Sequence, residues 1–216
     1  MSVMKALAAT LIGLAAAGAS PPSAVEKPIL KSSTEQSTPA GVRPSRLLAR
    51  AVLGMMDKDA VRLVDDCIDE QGLKPGNYAA LLSAVRIHNK AGRTLWFVRP
   101  ALNRYCMGFY GAHLFRYFLF EEIGPPASPR YHILFQNGGD RFAVYSRLSH
   151  GLNDFEATGC ISSGCRSARF SFDGHQYGAV LCTRTSFDEQ GRERVTRRRC
   201  GSDDWSDIQS SGLIRE

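Results

Sequence analysis

The sequence predicts an α+β fold in which N-terminal helices pack on an antiparallel β-sheet or β-sandwich stapled by disulfides. Three observations predict it. From residue 131 to residue 177, short apolar runs alternate with Gly- and Asp-bearing turn signals, the signature of antiparallel strands. Ahead of them, residues 45–72 carry apolar side chains at helical spacing. Six cysteines, at 67, 106, 160, 165, 182 and 200, follow an N-terminus laid out like an export signal.

That N-terminus sets the domain plan. Residues 1–5 are a short positive region, residues 6–17 an uncharged apolar run, and Ala17-Gly18-Ala19 a small-x-small cleavage signal. Residues 1–19 therefore read as a signal peptide cut near Ala19, and the protein as periplasmic or secreted. The run is shorter than the ~20 residues a spanning helix needs, and no cysteine follows the cleavage signal, so no stable membrane anchor is expected. Residues 20–44 are rich in Pro, Ser, Thr and charge and read as a flexible linker. The alternative is packing along the domain around Ile29-Leu30. Residues 45–200 form a single α+β domain, and 201–216 a polar tail apart from Trp205 and Ile208. At 44% hydrophobic content the chain can build a core of that size.

The helical region opens at Ser45, a candidate N-cap. Leu47, Leu48, Ala51, Val52, Met55 and Met56 follow at helical spacing, Asp57 offers a second cap, and Val61, Val64, Cys67 and Ile68 form the next stripe before Gly72. One kinked helix or two short ones fit. Next comes a hairpin candidate around residues 89–92. Ser83, Val85 and Ile87 share one face. On the returning strand Leu95 and Phe97 lie on one face, Trp96 and Val98 on the other. Residues 78–86 also suit a helix. The aromatic run from 106 to 122 predicts a central strand buried on both sides, with Tyr110 and Tyr117 as the members left exposed.

Asn137-Gly138-Gly139-Asp140 separates two strand candidates, a loop spans 149–154, and a short strand lies near 154–158. Asp173-Gly174 then turns a further pair, and residues 188–191 turn the last. That last turn places Cys182 opposite about residue 197. Six cysteines allow fifteen pairings, which spacing does not resolve. The expected set is Cys67–Cys106, Cys160–Cys165 and Cys182–Cys200, the last needing a bulge or bend. Arg192, Arg194, Arg197, Arg198 and Arg199 make this hairpin either a charge-guarded edge or an anion site.

The turns Gly151-Leu152-Asn153-Asp154-Phe155 and Phe172-Asp173-Gly174-His175-Gln176-Tyr177 carry a resemblance. The chain resembles small exported proteobacterial proteins of unassigned activity, which pair a Gly-x-x-Asp-apolar turn with an aromatic-Asp-Gly-x-x-Tyr hairpin. Their upstream Cys-Gly-x-x-Gly-Cys-like element corresponds to Cys106-Met107-Gly108-Phe109-Tyr110-Gly111, where the second cysteine is missing. The resemblance covers roughly residues 85–180 and implies an all-β core and an envelope location. It brings no catalytic residue with it.

Chemistry is harder to find. There is no nucleophile elbow, zinc-protease helix, phosphate loop or dinucleotide fingerprint. The histidines, at 88, 113, 132, 150 and 175, lack metal-ligand spacing. His113 or His150 could act as a general base with Asp154 or Asp140. Glu121 and Glu122 are adjacent on a strand and point to opposite faces, so they are no glycosidase pair. The loops at 137–140 and 153–154 lack EF-hand spacing. No metal or cofactor is expected. The formal charge of +6 suits anionic partners, but an exported chain meets little nucleic acid, and none is expected.

The expected role is an exported envelope binding module, an inhibitor or immunity protein against a cell-wall-degrading enzyme or effector. Its partner would be another exported protein or a cell-wall polymer. The candidate binding residues are Tyr110, Tyr117, Asn137, Asp140, His150, Asp154, Asp173 and Arg194. The alternatives are a periplasmic hydrolase acting on peptidoglycan or peptide, and a structural accessory of the envelope.

Overall fold

The computed structural model describes residues 26–36, 38, 41–110 and 115–201. Two capped helices come first. Ser45 Oγ accepts the Leu48 N–H at 3.1 Å and opens α1 (Arg46–Leu53). Asp57 Oδ1 accepts the Ala60 N–H at 2.7 Å and opens α2 (Lys58–Glu70). Each cap satisfies a donor the helix leaves unpaired, at about 1 kcal/mol apiece. Gly72, at φ 61°, lets the Leu73 N–H return to the Ile68 carbonyl at 2.9 Å and ends α2.

The strands form two antiparallel sheets. The four-stranded sheet has β2 (Leu82–His88), β3 (Thr94–Pro100), β4 (Phe115–Ile123) and β5 (Arg130–Gly139) side by side in chain order. The six-stranded sheet runs β1 (Leu30–Ser33), β6 (Arg141–Ser149), β7 (Leu152–Ile161), β8 (Gly164–Phe172), β9 (Tyr177–Phe187) and β10 (Glu193–Arg198). Alternation along the strands makes two cores. Val85, Ile87, Leu95, Phe97 and Leu119 turn inward to meet Leu30, Phe142, Phe155 and Phe170 of the six-stranded sheet. Leu82, Ala84, Val98, Phe118 and Phe120 turn the other way and meet Leu48, Val52, Val64 and Ile68 of the helices. The result is three layers, with β3 and β4 buried on both faces. An aromatic column joins the sheets: Phe97 stacks on Phe142 at 4.7 Å, Phe142 on Phe155 at 5.0 Å, and Phe155 on Phe170 at 4.8 Å. Each such pair adds about 1 kcal/mol beyond its burial.

The three expected disulfides are formed. Cys67–Cys106 clamps α2 to the 3-10 turn Met107–Phe109. A Cβ at Gly108 would sit 2.8 Å from both the Ala60 carbonyl and Val64 Cγ2, so only glycine lets this turn approach the helix. Cys182 lies opposite Arg198, and the chain bends past the end of β10 to bring Cys200 back to it.

Several expectations need correcting. Part of the segment expected to be a flexible linker is β1, paired with β6 from Leu30↔Val144 to Ser33↔Arg141, while Val42 bridges to Ala84. The packing alternative around Leu30 is therefore the one adopted. Residues 78–81 form a 3-10 turn that leads into β2. Asn137-Gly138-Gly139-Asp140 is no hairpin turn: β5 pairs with β4, β6 pairs with β7, and the chain passes between sheets here. A Cβ at Gly139 would lie 2.9 Å from the Thr158 carbonyl, so the corner needs glycine for close approach. Tyr117 is 1% exposed, because the inward face of β4 places it against Phe97, Phe115 and Phe142. The short strand near 154–158 is the middle of a longer β7. Residues 1–25, His113, Trp205 and Ile208 lie outside the described residues.

Candidate functional site

The candidate residues fall in five places rather than one. Tyr117, Asn137 and Asp140 sit at the corner between sheets. The Tyr117 hydroxyl and Asn137 Nδ2 are buried there without a hydrogen-bond partner among the described residues, and burial pushes the Tyr117 phenol far above its ordinary range. Asp140 Oδ2 accepts the Cys160 N–H at 2.5 Å, which fastens β7 to the corner. Tyr110 is half-buried beside Tyr105, with ring centroids 4.8 Å apart, and burial raises its phenol too. It flanks Arg99, which is 1% exposed.

Sequence reasoning did not single out Arg99, yet it ties β1 to the rest of the molecule. Its Nη1 donates to Ser32 Oγ at 2.8 Å, to the Gln36 carbonyl at 3.1 Å and to the Ser33 carbonyl. Its guanidinium lies 4.2 Å over the Phe115 ring. Burial pulls its pKa down, and the Tyr110 side chain works in the opposite direction.

His150 and Asp173 do come together, at the end of the sandwich where three loops meet. His150 and Gly151, with φ of 47° and 80°, make the two-residue turn between β6 and β7. His150 Nδ1 lies 2.9 Å from the Phe172 carbonyl, and Asn89 Nδ2 donates to the Gly151 carbonyl at 3.0 Å. Arg93 binds Glu121 through two hydrogen bonds of 2.6 and 2.7 Å, and its Nη1 reaches the His150 carbonyl at 3.4 Å. Asp173 Oδ1 accepts the N–H groups of Gln176 and His175, which together hold its carboxyl below the usual carboxylate range. The expected partnership of His150 with Asp154 or Asp140 is not made. Asp154 is buried, on the face of the six-stranded sheet turned away from the inner core, with Ser149 Oγ at 2.7 Å and Arg147 and Arg169 at 3.5 and 3.7 Å.

A groove runs up to this loop end. It is a cleft of about 360 Å³ between the edge of the six-stranded sheet at β1 and the edge of the four-stranded sheet at β2. Leu30, Val85 and Ile87 line it with apolar surface from the rim of the inner core. Lys31, Arg86 and His88 bring charge or titratable nitrogen, and Ile29 stands 54% exposed at its mouth. The sequence signal was there in the alternation of Ser83, Val85 and Ile87. What hid the groove was its other wall, supplied by a segment that composition assigned to a linker.

The sixth strand of the larger sheet makes a second surface. All six residues of β10 are exposed. Arg184 stands opposite both Arg166 and Thr196, so two arginines are cross-strand neighbours on the face that also carries Arg194 and Arg198. Asp188 pairs with Arg192 at 2.8 Å and reaches Arg194 only at 3.8 Å.

No family model, curated protein or solved structure matches the chain. Three disulfides fit an oxidising, exported environment. Among the described residues, no helix is long and apolar enough to cross a membrane.

Proposed function

We propose that the chain is an exported binding module that acts on another exported protein, as an inhibitor of, or immunity protein against, a cell-wall-degrading enzyme or effector. The observation that carries this reading is the β1/β2 groove, an apolar-floored cleft between two sheet edges that, beyond the Val42 bridge to Ala84, no other strand covers among the described residues. Open edges are the usual places where a β-protein receives another chain. The signal-like N-terminus and the disulfides support export to a compartment where such partners meet. The hydrolase alternative draws less support, because His150 is held by a backbone carbonyl rather than by a carboxylate.

The test uses the chain from residue 20 onward with isolated sacculi, following release of soluble muropeptides with and without lysozyme. Suppression of lysozyme release is the expected result. Release by the chain alone would overturn the binding reading in favour of a hydrolase. No effect in either arm would remove the cell wall as the setting.

A further inference from the structure

Resting on that reading, we propose that the β1/β2 groove is a strand-addition site for an extended protein segment of alternating aliphatic and acidic residues. The direction of the main-chain groups carries the proposal. The Asn89 N–H donates to the Arg93 carbonyl at 3.0 Å, so odd-numbered residues of β2 aim their main-chain groups at β3. The even-numbered ones aim at the open side. Ala84 already uses that side. It exchanges two hydrogen bonds of 2.8 Å with Val42, so the chain itself adds one residue of strand to this edge. Arg86 and His88 present the same groups two and four residues further on. Among the described residues no main-chain group bonds them on that side.

The side chains then define the occupant. A strand laid beside residues 85–88 extends about 13 Å, and its side chains alternate between two environments. One set faces the floor of Leu30, Val85 and Ile87, each less than 10% exposed, and is aliphatic. The other lies on the face of β2 that carries Arg86 and His88, where the Arg86 guanidinium makes it acidic. Arg86 binds Glu122 at 3.1 Å but keeps 55% of its side chain exposed, so a second carboxylate can reach it. The edge at β10 differs: all of its residues are exposed, and none of them belongs to either buried core.

The experiment titrates two synthetic peptides, acetyl-Glu-Val-Glu-Val-Glu-amide and its Lys-for-Glu counterpart, into the full chain and follows amide hydrogen exchange residue by residue. The Glu peptide is expected to slow exchange at Arg86 and His88 at least tenfold. The Val85 and Ile87 amides, already bonded within the sheet, stay as they were. The Lys peptide leaves all four unchanged. Arg86→Gln, which keeps the strand, is expected to weaken the Glu peptide about threefold, and Arg86→Glu at least tenfold. Equal effects of both peptides, protection at β10 instead, or no protection anywhere would each overturn the proposal. Suppression of lysozyme by a chain that ignores both peptides would overturn strand addition and leave the inhibitor reading standing. Binding of the Glu peptide by a chain without effect on lysozyme would do the reverse.

Discussion

Among the described residues, the two ends of the six-stranded sheet are open in different ways. At β10 every side chain is exposed, and Glu193, Arg194, Arg197 and Arg198 occupy four of six positions. At β1 only four residues form the strand, Leu30 is buried, and the neighbouring edge of β2 continues the apolar floor. Charge at an edge discourages another chain from pairing there, because docking would strip water from the guanidinium groups. An edge backed by apolar surface offers the opposite balance, since each newly covered Å² contributes about 25 cal/mol. The six-stranded sheet thus ends in a charged edge at β10, and its other end lies beside the β2 edge on which strand addition is proposed. Exposure alone does not identify a binding surface; what lies behind the edge does.

The largest test of that contrast is Arg99→Met. Arg99 holds the β1 side of the groove through Ser32, Ser33 and Gln36, and removing a buried charged donor of several hydrogen bonds costs about 3 kcal/mol. Urea unfolding should show that loss, with faster exchange in β1 and none of the change in β10. An unaltered midpoint would mean the ladder to β6 holds β1 by itself. A comparable loss is expected on the other side from Cys182→Ser with Cys200→Ser. Opening a loop of sequence separation 18 costs about 3 kcal/mol in the chain-entropy account. Here exchange should speed up in β9 and β10 while the groove amides stay unchanged.

A smaller effect is expected when the guard itself is removed. Replacing Arg194, Arg197 and Arg198 by Gln should alter stability by less than about 1 kcal/mol, because exposed charges contribute little to folding. The same variant should self-associate at concentrations where the parent stays monodisperse, seen by light scattering. If it does not, β10 is protected by something other than charge.

The smallest effect concerns pH. Asp188 accepts the Arg192 and Gln190 N–H groups and the Arg192 guanidinium, which hold its carboxyl below the usual carboxylate range. A depressed folded-state pKa adds stability that is full above the unfolded value of ~3.9 and is lost as pH falls through the folded value. The turn between β9 and β10 should therefore loosen only in that acidic window, seen as faster exchange at Arg192. Loosening near neutral pH would point to a different group.

Much of the fold was legible because the signals are local. Ser45 and Asp57 cap helices three residues away, and the faces of Val85, Ile87, Leu95 and Phe97 follow from alternation within one hairpin. Leu30 to Ser33 was legible only as an alternative to a linker, and as a strand not at all. Two polar residues and a lysine in four positions look like linker until β6 is folded beside them. Asn137 to Asp140 misled for another reason. Glycine and asparagine serve a turn within a sheet and a passage between sheets equally well. The candidate site suffered from both effects. Val85 and Ile87 were visible as a face, but the opposite wall and the anchoring role of Arg99 arise only from contacts distant in sequence.

The pairing of Leu30 with Val144 also has a consequence in time. The first described strand to leave the ribosome is the one that cannot be placed until residue 144 has followed it. At ordinary synthesis rates that is about 6–20 s later. Until then Arg99 lacks its partners on the β1 side, and the six-stranded sheet lacks its first member. For a chain that is exported, as proposed, this delay leaves the strand at residues 30–33 unpaired through that interval, while β7 to β10 still have to follow.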